Sequence, residues 1–209
     1  MSDTYAFFNE INNFLESNPG LKNALLVDTD GKIVASTRSG IYGTETFAEV
    51  YRNGIFEEIQ NTITFSDLFF LPKEMSSELE KEHMPTMLLG APIWERKKML
   101  GVLIVEIDFK SIESFLEKTL TMGDTSQAYL VERDGVLRSK TRFGSNKDIL
   151  EKTISNESTT QCFTGGENNG KYMRYDNHLK KSVIGVYHYI PGIDWCLISE
   201  IEKKKCLHR

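Results

Sequence analysis

The sequence predicts an α+β chain in which an N-terminal helix is followed by two copies of a small antiparallel sheet with flanking helices. Three observations carry that expectation. A strand, Asp-Gly, strand pattern occurs twice, 104 residues apart, and a closing pair of strands occurs twice, 94 residues apart. Segments of helical periodicity lie before the first copy and between the two.

The elements follow in chain order. Over 9–17 a helix is expected, because Phe7, Phe8, Ile11, Phe14 and Leu15 recur at three- and four-residue steps before Asn18-Pro19-Gly20 stops them. Leu25-Leu26-Val27 then leads into Asp28-Thr29-Asp30-Gly31, and Lys32 to Ser36 resumes β composition. Glycine takes the positive φ of a tight turn, so this reads as a hairpin. The second copy, Ala128 to Glu132, Arg133-Asp134-Gly135, Val136 to Ser139, predicts the same.

Inside the first copy, 44–60 has helical spacing (Phe47, Val50, Tyr51, Ile55, Ile59), Thr62 to Phe65 returns to strand composition, and the acidic stretch 72–85 is a long loop or a short exposed helix. The closing strands are Ala91-Pro92-Ile93 with Gly101 to Asp108, matched by Gly185-Val186-Tyr187 with Trp195 to Glu202. Between the copies, Ile112, Phe115, Leu116 and Leu120 form an amphipathic connector. Two features repeated in the same order argue for a duplicated unit. Each unit is then an α+β sandwich of PAS type, a sheet whose concave face has room for a small ligand.

Composition narrows the function classes. The chain has 209 residues, 25 Lys plus Arg against 30 Asp plus Glu, a formal charge of −5 and 40% hydrophobic residues. That is globular composition, and its mild acidity argues against a nucleic-acid surface. No run reaches the roughly 18 apolar residues of a membrane helix, and Met1 to Tyr5 has no signal-peptide character. The chain is therefore cytosolic or a soluble piece of something larger. Cys162, Cys196 and Cys206 form no Cys-x-x-Cys pair, and His83, His178, His188 and His208 are scattered, so neither a disulfide framework nor a metal site is indicated.

Catalytic and cofactor motifs are not found: there is no nucleophile elbow, no phosphate loop and no zinc-protease helix. No cofactor is expected. The glycine-rich Gly165 to Gly170 reads as a turn between strands. The acidic pairs Glu57-Glu58, Glu106 with Asp108 and Glu200 with Glu202 read as solvated edges more readily than as acid–base couples.

Taken in order, Val27 to Val34, Ile63 to Phe69, Gly90 to Ile93 with Gly101 to Ile104, Gly123-Asp124-Thr125, Tyr129-Leu130-Val131 with Asp134-Gly135, and Val183 to Tyr187 with Ile193 to Ile201 resemble the double Cache domains. These are tandem PAS-like extracytoplasmic sensor modules of bacterial and archaeal transmembrane receptors. The resemblance implies the end of a signalling helix at 1–20, a membrane-distal subdomain at 21–108, a connecting helix at 109–122, a membrane-proximal subdomain at 123–202, and a tail at 203–209 towards a membrane helix outside this chain. It also implies a small-molecule ligand in the distal unit and dimerisation through the N-terminal helix.

Family members that bind amino acids carry an aromatic, an Arg five residues on, then Trp-Tyr, and an Asp on the last strand of the unit. Phe47 and Arg52 keep the first spacing, Gly54 and Ile55 depart from the second, and Glu106 stands in place of the Asp. An Arg forks onto carboxylates and a Glu pairs ammonium, so a carboxylate or an amine is the expected ligand. Phe47, Arg52, Phe56, Phe65, Asp67, Phe69 and Glu106 are the candidate ligand-binding residues, with Phe56, Phe65 and Phe69 equally readable as core. The function implied is non-catalytic sensing for a receptor, foremost a sensor histidine kinase. A chemoreceptor, a nucleotide cyclase sensor or a ligand-independent dimerisation module are the alternatives.

Overall fold

The computed structural model describes residues 2–38, 62–70, 85–118, 123–165 and 170–203. Its elements are α1 (Ser2–Ser17), β1 (Leu21–Asp28), β2 (Ile33–Ser36), β3 (Thr64–Phe65), β4 (Phe69–Phe70), β5 (Pro85–Glu95), β6 (Lys98–Ile107), α2 (Phe109–Lys118), β7 (Gln127–Glu132), α3 (Glu157–Thr164), β8 (Tyr172–Asp176), β9 (Ser182–Ile190) and β10 (Trp195–Glu202). The expected helix over 44–60, with Phe47, Arg52 and Phe56, lies outside the described residues, as does all but the end of the acidic stretch over 72–85. The α+β class with antiparallel sheets after an N-terminal helix is what the chain adopts. By contact density the chain divides into two compact units, 1–111 and 112–209, each with its own sheet.

In the first unit the strand order is β2-β1-β6-β5-β3, with β4 also paired to β5. α1 begins earlier than the apolar spacing suggested but ends as expected at Ser17. Ser17 Oγ and Asn18 Nδ2 donate to the carbonyls of Asn13 and Phe14, and the second of these is an acceptor that the helix end leaves open. The β1–β2 turn is the anticipated Asp-Gly hairpin: Asp28 Oδ1 accepts from the amides of Asp30 and Lys32, and Gly31 has φ +82°. Leu25, Val27, Leu88, Val102 and Ile104 are buried on the sheet. Each such side chain contributes roughly 1.5–3 kcal/mol by leaving water.

In the second unit the order is β7-β10-β9-β8. Its core gathers Tyr129, Val131, Leu137, Ile154, Tyr187 and Ile198 with the two half-cystines. Here the second arm of the hairpin departs from expectation. The Asp-Gly turn forms, with Gly135 at φ +80°, yet Val136 and Leu137 make only isolated bridges. The cause is competition for the backbone: the Leu137 amide donates to Lys152 and its carbonyl accepts from Leu150, while Arg138 turns back to Leu130.

The glycine-rich segment is also corrected. Gly165 ends α3 rather than leaving a strand, its amide donating to the Gln161 carbonyl. At the other end of α3, Asn156 accepts from the amide of Thr159, whose hydroxyl accepts from the amide of Asn156, a reciprocal N-cap.

The repeat survives in three dimensions with one change of register. Asn23 pairs opposite Glu106, and Gln127 opposite Glu200, so the 104- and 94-residue offsets describe one shared β-pair. The preceding strand is shifted: Glu106 faces Leu88 whereas Glu200 faces Gly185, so the structural counterpart of Ala91 is His188 rather than Gly185. A longer turn, Pro191 to Asp194 against Arg96-Lys97, and an irregularity at Ile93/Trp94 account for the slip. An odd shift in a strand exchanges its two faces.

Cys162 on α3 and Cys196 on β10 form a disulfide with Cα atoms 6.3 Å apart, closing a sequence separation of 34 residues. Spacing alone concealed this pair, because its members sit on a helix and a strand brought together only by the fold. Cys206 lies outside the described residues. The double variant Cys162→Ser, Cys196→Ser should lose about 2–5 kcal/mol in urea denaturation. Dithiothreitol should lower the unfolding midpoint of the wild type and leave that of the variant in place.

Candidate functional site

Glu106, on the central strand β6, is wholly buried. A carboxylate out of water must be paired, and two neighbours supply this. Asn23 Nδ2 on β1 donates to Oε2 at 2.9 Å, and Arg38 Nη2 donates to the same oxygen at 2.6 Å. Arg38 follows β2, where Ser36 Oγ accepts from its amide and the Thr37 hydroxyl accepts from the amide of Ala24 on β1. The local backbone thus delivers the guanidinium to the sheet face that carries Glu106.

The pairing register decides which other side chains share that face, since residues directly opposite in antiparallel strands project together. Leu88 opposes Glu106, Thr86 lies two residues before Leu88, and Phe69 opposes Thr86. Phe69 and Thr86 therefore stand on the Glu106 face. The Thr86 hydroxyl is fully buried and has no hydrogen-bond partner among the described residues. Sequence reasoning passed over both Thr86 and Arg38; the second had a signal, because Thr37-Arg38-Ser39-Gly40 recurs as Thr141-Arg142-Phe143-Gly144 at the same 104-residue offset.

Phe65 opposes Leu89 and so projects from the other face of the sheet, at 40% exposure. Asp67 is exposed, while Ser66 and Leu68 turn inward; the Ser66 hydroxyl accepts from the Leu88 amide. Of the expected site residues, Glu106 and Phe69 share a face, Phe65 does not, and Phe47, Arg52 and Phe56 lie outside the described residues.

The second unit answers the same problem differently. Glu200 is 1% exposed and accepts four bonds from neutral donors. Gln127 Nε2 and Asn177 Nδ2 reach Oε1 at 2.6 and 2.7 Å, and the hydroxyls of Tyr175 and Tyr129 reach Oε2 at 2.5 and 3.3 Å. Burial, reinforced by the Glu200 charge, drives both phenols far above the ordinary tyrosine range. A Cβ at Gly185 would lie 2.8 Å from the Tyr175 hydroxyl, so the slipped register is what admits that bond. Arg142, the counterpart of Arg38, donates instead to the carbonyls of Gly123 and Ser126.

Beside this cluster His178 stacks edge-on to Tyr129 with ring centroids 5.8 Å apart, and neither ring nitrogen has a partner among the described residues. Burial lowers its pKa, with Lys152 adding to the effect and Glu200 and Asp148 opposing it. Among the described residues there is no group of metal-ligating side chains.

Two outcomes test these environments. Glu106→Ala should cost about 3–5 kcal/mol in urea denaturation by leaving Arg38 buried without its carboxylate, and Glu106→Gln less. A histidine whose folded pKa is depressed binds protons more readily unfolded, so stability is intact above the unfolded value near 6.5 and is lost as pH falls below it. His178→Phe should flatten that part of the stability–pH curve.

Comparison with known proteins adds the relationship. The family model described as Cache domain matches residues 5–208. No curated protein sequence matches the chain. Among solved structures, the extracellular domain of the putative histidine kinase mmHK1S-Z2 aligns at TM-score 0.65 and 16% identity, over 98% of this chain and 83% of that one. The ligand-binding domain of Mlp24 with asparagine aligns at 0.57 and 9%, over 98% and 85%. The ligand-binding domain of the Pseudomonas aeruginosa PAO1 amino acid chemoreceptor PctB, in complex with L-Arg, aligns at 0.55 and 14%, over 94% and 76%. With nearly its whole length matched by the family model, the chain belongs to the Cache domain family.

Proposed function

We propose that this chain is the extracytoplasmic sensing region of a transmembrane receptor and binds a small carboxylate, amine or molecule bearing both in its first unit. The observation that carries this reading is a largely buried Arg38–Glu106 ion pair on the same sheet face as a buried hydroxyl, Thr86, that no described residue satisfies. An ion pair is exchangeable: a ligand carboxylate competes with Glu106 for Arg38, and an ammonium competes with Arg38 for Glu106. Either exchange moves β2 relative to β6, and a ligand that favours one arrangement shifts the population towards it.

Solved domains of similar fold are described as parts of histidine kinases and chemoreceptors, some holding amino acids. They support receptor sensing, and a histidine kinase is the output we favour. The disulfide in the second unit fits an oxidising, extracytoplasmic compartment. No described helix is long and apolar enough to cross a membrane; anchoring through flanking helices, a membrane-distal first unit and pairing through α1 are parts of the proposal.

A thermal-shift screen of small carboxylates, amines and amino acids tests it. A ligand at about a hundred times its Kd adds about 2.7 kcal/mol, a shift of roughly 5–10 °C for a chain of this size. Glu106→Gln should weaken an amine hit at least about tenfold and strengthen a carboxylate hit by releasing Arg38, and Thr86→Val should change either less. Arg52→Ala with unchanged affinity would remove Arg52 from the site and leave the function standing. If the folded protein shows no shift with any of the three classes, the sensing reading fails.

A further inference from the structure

We infer that the second unit carries a ligand site of its own, a small polar pocket for an ammonium compound with a short apolar body, separate from the Arg38–Glu106 face. The pocket encloses about 340 Å³ between α2, the start of β7 and residues 140–144. That is the lower end of the volume range for small-molecule sites, roughly 300–1,000 Å³. Leu116 and Ala128, both buried, give it an apolar floor, and Glu113, Glu117, Lys140 and Arg142 give it charged walls.

Glu113 decides the ligand class. It is only 5% exposed and lines the pocket. Its Oε1 accepts from the backbone amide of Lys140 at 2.9 Å, and among the described residues no cation pairs with it. The cation nearest in sequence to that bond, Lys140 Nζ, is committed elsewhere, 2.8 Å from Glu117 Oε1. Arg142 is likewise turned aside, with Nη1 on the carbonyls of Gly123 and Ser126. Burial accordingly raises the pKa of Glu113, opposed by the Lys140 amide bond and the Lys140 charge and reinforced by Glu117.

A carboxyl group held out of water beside an open volume, with its cations engaged by other acceptors, lacks one thing: a positive donor. A ligand ammonium supplies it, and its apolar body lies on Leu116 and Ala128. Such a ligand binds the ionised carboxylate, so binding releases a proton wherever Glu113 carries one.

Calorimetric titration of the whole chain with n-butylamine, 4-aminobutanoate and butanoate tests the site. The two amines should bind with millimolar or better affinity, about −4 kcal/mol at 1 mM, and butanoate should not. For wild-type protein the affinity for n-butylamine should rise as pH increases from about 4 to 7, because the amine stays charged while Glu113 loses its proton. Glu113→Gln keeps an acceptor for the Lys140 amide and should weaken the amines at this site at least about tenfold; Glu95→Gln, which removes an exposed carboxylate of the first unit, should leave them within about twofold. Butanoate binding as tightly as the amines, affinity independent of pH, or affinity retained in Glu113→Gln each overturn the site. So does amine binding lost only in Glu106→Gln, an outcome that supports the first-unit reading instead. The pH series needs no variant, so it decides even if Glu113→Gln does not fold.

Discussion

A carboxylate sealed inside each sheet is the constraint on which the rest of this architecture depends. Glu106 and Glu200 occupy equivalent places on an interior strand, each opposite an amide side chain of the strand that opens its unit, Asn23 or Gln127. Ionised groups in such positions cost several kcal/mol to desolvate, and only compensating partners hold them there. The partners therefore dictate local structure: the path of the chain beyond β2, which brings Arg38 inward, and the β8–β9 turn, where Asn177 both braces the turn through its side-chain carbonyl and donates to Glu200.

The two solutions differ in kind. Glu200 is surrounded by four neutral donors, which match the roughly four lone-pair sites of a carboxylate. A further group can join only by displacing one of them, and each displacement would strand a buried tyrosine hydroxyl or amide. Tyr175 reaches its bond over Gly185, where any larger residue would collide with it. The second sheet is in this sense closed around its acid. Its disulfide, tying α3 to β10, adds a covalent restraint to the strand that bears Glu200.

Much of this was legible in the residues. The Asp-Gly hairpins, the helix stop at Asn18-Pro19-Gly20 and the two repeat offsets each rest on short-range chemistry, and local chemistry predicts local structure. What escaped was what long-range pairing decides. The second hairpin arm lost its strand because residues 149–154 compete for its backbone. Phe65 and Phe69 read alike in the sequence, yet the pairing of β3 and β4 with β5 sets them on opposite faces. Cys162 and Cys196 carried no spacing signal because a helix and a strand have no fixed separation. Arg38 was recoverable in principle from the repeated Thr-Arg-x-Gly. Its partner was not, because the second copy of that Arg serves backbone carbonyls.

That divergence bears on the proposed function: a charged ligand can exchange with the buried pair of the first sheet more readily than with the buried acid of its twin. An acid balanced by a cation remains two charges, and each can be recruited by a counter-charge arriving from outside without leaving the other wholly uncompensated. An acid balanced by neutral hydroxyls and amides offers no such exchange: drawing it away unsatisfies several donors at once, at about 1–3 kcal/mol for each group left buried. Both units carry a buried carboxylate at the same place in the sheet. With a guanidinium against one and tyrosines and amides against the other, the proposed function would make the first unit the more responsive and the second the more rigid, and a close-packed, rigid unit transmits strain rather than absorbing it.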